Sequence, residues 1–449
     1  MKMFRDKKIF ILGMARSGYA ASKLLKKYNN EILITDKNDQ NEEQLRELED
    51  LGVKFIKTDN PETLLDSSFD YVIKNPGIRI DHPVCLKAKE LKILVTNEVE
   101  VAYSFLPKDI KIIGISGSNG KTTTTTLIYN ILRKAGLHAI LGGNIGYPVS
   151  SLVEVTKEKD ILVLEISSHQ LHDIINFKTD ISVLTNLSEV HIDHFGTYDY
   201  YKAQKVRIFN NHTENDIAII NKEDIDTRDY LDTINSNKIF FSSENNADSC
   251  IKNNAIYYKE EKVLELGDVL LKGKHNYENI MCAISVVKQF GVANEVILEA
   301  LKDFKGVEHR LEYVDTVNGR KFYNDSKATN VKSTQIALSA FSEPTILLLG
   351  GLDRGHSFEG LKEYLKNTKK IVAFGETKNR IKEFADKEKV ECDVVDTLKE
   401  AVDIAFKSSD IGDVILLSPA CASWDQYKCF EDRGLEFKEH VTTNLIIRS

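Results

Sequence analysis

Residues 112–132, IIGISGSNGKTTTTTLIYNIL, set two glycines, a lysine and five threonines between a β-branched apolar run and a helically spaced one. Gly117 and Gly120 permit backbone conformations closed to other residues, so several N–H groups of the turn Gly117-Ser118-Asn119-Gly120 can converge on one anion. Lys121 adds a point charge, Thr122 offers a hydroxyl suited to Mg²⁺ with Thr123 beside it, and Leu127, Ile128, Ile131 and Leu132 supply the helix. The usual phosphate-loop pattern has a glycine five residues before the Gly-Lys pair. Ile115 stands there and Gly114 comes one residue too early, so the stretch reads as a shortened form, G-S-N-G-K-T. The plainer alternative is an ordinary glycine-rich turn beside a soluble threonine patch, and the strand–turn–helix context favours nucleotide phosphate.

Glu165 ends the run DILVLE and is expected at the carboxyl end of a buried strand next to this turn, where a carboxylate can hold Mg²⁺ with Thr122. A salt-bridged strand-end acid is the alternative. HIDHFG contributes His191, Asp193 and His194 after another strand end, without the further ligands of a tetrahedral zinc site; His169 and His172 read as structural. Nearer the N-terminus, G13-M-A-R-S-G18 follows the first strand and Asp36 ends the second. This resembles a dinucleotide fingerprint except that Ala15 replaces the glycine that lets backbone approach a pyrophosphate, which favours a mononucleotide or UDP site over NAD. Asn75-Pro76-Gly77 closes a later strand, where ligands of parallel sheets gather.

The elements that must position these groups alternate between strand and helix. KIFILGM, EILITD and FDYVIKN read as strands separated by ASKLLKKY and NEEQLRELEDLG; DILVLEISS, DISVLTNLS and DIAIIN follow, with KHNYENIMCAISVVKQFG as a helix that Gly291 terminates; PTILLLGG, KKIVAFGE and DVILLSPA form a third set. The expected fold is α/β with mainly parallel sheets: a Rossmann-like N-terminal domain over 1–98, a P-loop ATPase-like central domain over 99–310 and a Rossmann-like C-terminal domain over 311–449. The chain has 449 residues, 42% hydrophobic and 29% charged, with a formal net charge of −8 and no long basic block, so nucleic acid is not an expected partner. MKMFRDKKIFILGMARSG reads as a first strand, not a signal, and no apolar run reaches the ~20 residues of a membrane span. Six cysteines without a C-x-x-C pair fit a reducing cytosol, which makes the N-x-S/T triplets at Asn186, Asn211 and Asn324 chance matches.

Taken together, G-I-S-G-S-N-G-K-T-T, G-G-N-I-G (142–146), L-E-I-S-S (164–168), H-x-D-H (191–194), K-H-N (274–276) and H-R (309–310) resemble the shared ATP and metal machinery of the Mur ligases. Those enzymes form amide bonds at the expense of ATP in peptidoglycan precursor synthesis. N-D-S-K-A-T-N (324–330), G-G-L-D-R-G (350–355) and S-P-A-C-A-S-W-D-Q-Y-K-C-F-E-D-R-G (418–434) resemble the members that add D-glutamate to UDP-N-acetylmuramoyl-L-alanine. The resemblance implies a cytoplasmic monomer with three small-molecule substrates and two Mg²⁺ ions. It implies roles for Lys121, Thr122, Glu165 and His191 at phosphate and metal, and a carbamylated Lys205 as a further metal ligand. Asn276 and Asn279 would lie on the adenine side, with Arg310 and Asp325 as a nucleotide clamp. Gly13, Arg16, Ser17, Asp36, Lys37 and Gly77 would face the uridine nucleotide, and Asn144 and His191 its pyrophosphate–muramoyl end. Lys327, Thr329, Arg354 and Ser423, with Phe430 packing nearby, would hold D-glutamate; Arg354 stands where some relatives have lysine.

Taken alone, Lys205 reads as a surface lysine on an amphipathic helix, with Lys202 an equal candidate. Rival readings of the chain are a Mur ligase for another amino acid, an NAD-dependent oxidoreductase built on the N-terminal turn, and a non-catalytic nucleotide-binding regulator.

Overall fold

A computed structural model describes residues 3–189, 195–244 and 246–445. The first sheet contains β1 (Lys8–Leu12), β2 (Glu31–Asp36), β3 (Lys54–Lys57), β4 (Tyr71–Lys74) and β5 (Leu94–Thr96), in the order β3-β2-β1-β4-β5, with every pair parallel. Parallel neighbours require crossovers, and the helices Arg16–Lys26 and Pro83–Glu90 are two of them. Both faces of β1 are covered: Ile9 and Ile11 enter one apolar cluster, Phe10 and Leu12 another. The period of two along a strand is therefore hidden in sequence, and KIFIL reads as a continuous apolar run.

The second sheet has nine strands: β6 (Lys111–Ser116), β7 (Ala139–Gly143), β8 (Ile161–Glu165), β9 (Ile181–Leu184), β10 (Ile217–Asn221), β11 (Asn237–Ser242), β12 (Ser249–Lys252), β13 (Ala255–Tyr258) and β14 (Glu261–Glu265). Their order is β14-β13-β12-β11-β10-β9-β6-β8-β7. Parallel pairing runs from β7 to β12, and β12–β14 form an antiparallel meander absent from the sequence-based expectation. Its two turns hold positive φ at both central residues, Asn253 (48°) with Asn254 (61°) and Lys259 (45°) with Glu260 (69°). Asparagine tolerates that conformation and signals it, whereas Lys-Glu carries no such signal.

The third sheet comprises β15 (Glu312–Val317), β16 (Arg320–Asn324), β17 (Thr345–Gly350), β18 (Thr368–Phe374), β19 (Glu391–Val394) and β20 (Val414–Leu417), ordered β15-β16-β20-β17-β18-β19. Only the β15–β16 hairpin, turned at Asn318-Gly319, is antiparallel. Three largely parallel sheets thus match the expected α/β class. The chain divides into two compact units, residues 1–266 with 278–300 and residues 267–277 with 301–449, so the second unit begins ahead of the 310 boundary expected from sequence.

Within the first unit the first two sheets share one apolar cluster, which runs from Phe4 through Leu24 and Val101 to Leu164 and Ile220. Polar groups stitch the same region. Glu100, fully buried, accepts from the backbone N–H groups of Ile175, Asn176 and Phe177 at 2.8–2.9 Å. Lys74 at the end of β4 pairs with Asp173 at 2.9 Å, both side chains at most 6% exposed. Burial alone would raise the Asp173 carboxyl, but His172 and Lys74 together hold it below its ordinary range.

Removing one partner of a buried pair strands the other charge. Asp173→Ala should therefore destabilise the first unit by about 3–5 kcal/mol. Lys74→Met with Asp173→Leu should regain most of that loss, and urea denaturation of the two variants against the parent checks both values.

Candidate active site

The turn after β6 is held open by its neighbours. Gly117 has φ +142°, and a Cβ there would lie 1.9 Å from Thr185 Oγ1; Gly120 has φ +81°, and its Cβ would lie 2.2 Å from Asn279 Oδ1. Any side chain at either position meets both backbone strain and a clash. The segment following β9 braces the same turn: Ser118 N–H donates to the Asn186 carbonyl (2.8 Å) and Asn119 N–H to Asn186 Oδ1 (3.0 Å). Thr185 Oγ1 and Asn186 Nδ2 both donate to the Asn119 carbonyl. Ser118 Oγ also lies 3.0 Å from the Tyr201 hydroxyl.

The helix Lys121–Lys134 starts directly at the turn, which accounts for the threonine run. Thr125 and Thr126 donate back to the carbonyls of Lys121 and Thr122, and buried Thr124 donates to Asn279 Oδ1 at 3.2 Å. Thr122 is buried and Thr123 half-buried on the helix's first turn. Turn amides, a helix N-terminus and a lysine in one place make an anion site.

Two ammonium groups converge on one carbonyl here. Lys121 Nζ donates to the Gly117 oxygen at 2.8 Å and to that of Ser118 at 3.0 Å, while Lys205 Nζ donates to the same Gly117 oxygen at 2.7 Å. Lys205, on the helix Tyr198–Val206, is 2% exposed, which corrects the expectation of a surface lysine. Burial and the adjacent Lys121 charge push its pKa well below the ordinary lysine value, against a smaller opposing pull from Glu165. Lys202 is a different case: it pairs with Asp199 (3.0 Å) and Asp226 (3.1 Å), and the Asp199 hydrogen bond leads the causes that raise its pKa.

Glu165, the last residue of β8, is 2% exposed. Its Oε1 accepts from Asn144 Nδ2 at 2.6 Å, and its Oε2 is buried without a hydrogen-bond partner. An orphaned carboxylate oxygen costs free energy unless a cation takes it, and the hard donors Glu165 and Thr122 fit Mg²⁺. Among the described residues no three His, Cys, Asp or Glu side chains cluster as a metal site. His191 lies outside the described residues, as do Asp193 and His194. His172, bonded to Asp173 and to the Tyr200 hydroxyl, has the structural role expected of it.

At the carboxyl ends of the first sheet, Gly13 has φ +94°, and a Cβ on Gly18 would sit 2.0 Å from the Gly13 carbonyl oxygen, so both glycines fix the approach of the helix Arg16–Lys26 to the turn. Asp36 is partly committed: its carboxylate accepts from Met14 N–H (2.8 Å) and Asn38 N–H (2.9 Å), leaving remaining lone pairs for a ligand. Arg16 donates to the Gly146 carbonyl, Ser17 is half-buried, and Lys37 and Gly77 are exposed.

In the second unit Asp325 follows β16 and is buried; it accepts from Leu311 N–H (3.2 Å) and Ser418 Oγ (2.8 Å), and burial pushes its pKa up to about 7. Arg310 is exposed, and Asn276 is buried with its amide on the Lys272 carbonyl at 2.8 Å. Lys327 Nζ stands 5.1 Å from the Phe430 ring, Thr329 N–H donates to the Lys327 carbonyl, and Ser423 is buried with an unpartnered hydroxyl. Arg354 lies over the Trp424 ring. Lys327, Thr329 and Ser423 thus sit on the strand-end loops of one sheet, and Phe430 opens the helix Phe430–Glu439.

Sequence reasoning missed Thr185, Asn186 and Tyr201 as supports of the phosphate turn. The three N-x-S/T asparagines all donate their amide nitrogen internally: Asn186 to Asn119, Asn211 to Ile175 and Phe177, Asn324 to His309, Glu312 and Gly434. A polar residue directly after an apolar strand was the available signal for Asn186.

The profile of the Mur ligase middle domain matches residues 115–287, and that of the Mur ligase glutamate ligase domain matches residues 309–421. Two relatives named UDP-N-acetylmuramoylalanine–D-glutamate ligase, from Bacillus cereus (strain Q1) and Bacillus thuringiensis (strain Al Hakam), are each 46% identical over 442 residues, covering 98% of this chain and 98% of theirs. Among solved structures, the UDP-N-acetylmuramate-alanine ligase MurC of Thermotoga maritima gives a TM-score of 0.60 at 17% identity, over 98% of this chain and 100% of that one. The MurF ligase of the same organism in complex with ADP gives 0.59 at 18% identity, over 100% and 97%. These two similarities concern the fold alone.

The raised Asp325 pKa carries a pH signature. Between its unfolded value near pH ~4 and its folded value of about 7, the folded chain holds a proton that the unfolded chain has lost, so stability falls as pH rises through that window. Asp325→Asn should remove this slope, at most ~1.4 kcal/mol per pH unit. Melting of the parent and the variant across pH 4–8 measures it, and parallel curves would contradict the assignment.

Proposed function

The chain belongs to the Mur ligase family, and we propose that it joins D-glutamate to UDP-N-acetylmuramoyl-L-alanine in an ATP-dependent step of peptidoglycan precursor synthesis. The observation that carries the chemistry is the phosphate turn with Lys121 and Lys205 on one carbonyl, together with the unpartnered buried oxygen of Glu165. A free carboxylate is a poor acyl donor because its leaving group would be oxide. Transfer of the ATP γ-phosphoryl group to that carboxylate gives an acyl phosphate and ADP. The D-glutamate amine then attacks the acyl carbon, the C–O bond to phosphate breaks with its electron pair, and the nitrogen loses a proton.

Such a transfer demands charge neutralisation rather than covalent help. Lys121 supplies a positive charge, and the amides of 117–120 hold the phosphates still. Thr122 and Glu165 would hold Mg²⁺, which when bound offsets charge on the transferring group. We assign Lys205 to a second ion as its carbamate, with His191. Burial and geometry support this choice over Lys202: Lys205 is buried beside Lys121, which lowers its pKa toward the neutral amine that CO₂ needs, whereas Lys202 is ion-paired to Asp199 and Asp226. The lone pair forms an N–C bond, the nitrogen sheds a proton, and a cation becomes a carboxylate-like ligand.

The remaining assignments complete the reading. Gly13, Arg16, Ser17, Asp36, Lys37, Gly77 and Asn144 bind the UDP substrate, Asn276, Asn279, Arg310 and Asp325 the nucleotide, and Lys327, Thr329, Arg354, Ser423 and Phe430 D-glutamate. Domains at 1–98, 99–310 and 311–449 carry these three tasks. All six cysteines are free, and no described helix is long and apolar enough to cross a membrane; we place the reaction in the cytoplasm, where ATP is supplied.

Phosphate release with ATP, Mg²⁺, UDP-N-acetylmuramoyl-L-alanine and a panel of D- and L-amino acids tests the reaction. D-Glutamate alone should support rapid turnover; equal use of L-glutamate, or a preference for L-lysine, would sink the assignment. In a second test, Lys205→Ala should lower turnover at least ~100-fold with an intact fold, and formate or acetate should restore part of it by filling the vacated ligand position. Lys202→Ala breaks ion pairs to Asp199 and Asp226 and a contact with the Tyr198 ring, and should keep most activity. A fully active Lys205→Ala enzyme removes that residue from the mechanism.

A further inference from the structure

Trp424 is the single tryptophan of the chain, and it is 63% exposed on the loop between β20 and the helix Phe430–Glu439. An indole left in water at the rim of a site forgoes the burial that such a side chain normally gains. Its ring meets Arg354, whose guanidinium carbon lies 4.7 Å from the ring centroid. Among the described residues no carboxylate is within ion-pair distance of Arg354. The acids flanking the two residues are engaged elsewhere: Asp353 pairs with Arg380 and accepts from Gly355 N–H, and Asp425 accepts from Glu376 N–H at 3.2 Å. The residue before Trp424 is Ser423, buried to 1% exposure with an unpartnered hydroxyl.

A guanidinium has two faces and a planar fork of N–H donors, and a carboxylate is taken by the fork rather than the face. A ring packed against the guanidinium removes much of the side chain's rotational freedom without supplying a carboxylate to its N–H donors. An ammonium has no planar fork of donors for a ring to orient. We propose that Trp424 is a positioning residue for D-glutamate: its indole holds the Arg354 guanidinium so that the N–H fork meets one of the substrate's two carboxylates. This inference rests on the D-glutamate assignment of Arg354 made above.

The test is steady-state kinetics of the full-length chain with each of the three substrates varied in turn, on Trp424→Leu, Trp424→Phe, Arg354→Lys and the double variant Arg354→Lys/Trp424→Leu. Trp424→Leu should raise KM for D-glutamate by about tenfold while kcat and the KM values for ATP and UDP-N-acetylmuramoyl-L-alanine stay within about twofold. Trp424→Phe, which keeps a ring face, should recover most of the loss. The double variant should be no worse than Arg354→Lys, because the indole acts only through the guanidinium. An unmoved KM for D-glutamate in Trp424→Leu, a common drift of all constants with a lowered melting temperature, or additive losses in the double variant would each overturn the proposal. Absence of D-glutamate turnover by the parent enzyme would instead overturn the substrate assignment and the proposal with it.

Discussion

One backbone carbonyl, that of Gly117, receives two lysine side chains, and the electrostatics of the first unit's site follow from that. Two ammonium groups within hydrogen-bonding reach of one oxygen repel each other, and one of them is almost wholly desolvated. Burial and the neighbouring charge both lower the pKa of Lys205, whereas Lys121 is only half-buried. The same carbonyl belongs to a glycine whose φ of +142° and missing Cβ let Thr185 approach. Conformation, packing and charge are thus fixed at a single residue.

Rigidity around that carbonyl comes from side chains of neighbouring elements. Thr185, Asn186 and Ser188 reach the turn from the end of β9, Asn279 reaches it from the helix Lys274–Val287, and Tyr201 meets it through Ser118. A phosphoryl-transfer site depends on donors that are already in place, since reorganisation during the reaction is what such a site avoids. Behind it, the first two sheets share a single apolar cluster and a buried Lys74–Asp173 pair, which ties the carboxyl end of β4 to the helix following Glu165.

The second unit uses a different device. Its carboxylate-binding candidates stand on loops at strand ends, where backbone hydrogen bonds set their positions: the His309 carbonyl takes the Lys327 N–H, and the Lys327 carbonyl takes the Thr329 N–H. Gly434 has no Cβ because His309 Nδ1 would be 2.1 Å from it. Aromatic rings flank the cations, Phe430 at Lys327 and Trp424 at Arg354.

The sequence by itself determined what is encoded over a few residues: the phosphate turn, the apolar strands, the helix ending at Gly291, the α/β class and the motifs that carry the family resemblance. Those features rest on glycine conformation, apolar periodicity and turn chemistry, all local properties. The β12–β14 meander escaped because one of its turns, Lys259-Glu260, uses residues with no preference for positive φ. Only the tertiary structure distinguishes the surroundings of Lys202 and Lys205, three positions apart on one helix, because burial and charge are supplied by groups distant in sequence. Lys205 meets Gly117 across 88 residues, and Thr124 meets Asn279 across 155. The same holds for Glu165, expected beside the turn from its strand end, whose unpartnered oxygen is visible only once every neighbouring donor has been placed. A side chain's type and spacing state what chemistry it can do, and its protonation and solvation, set by the packed fold, decide which chemistry it does.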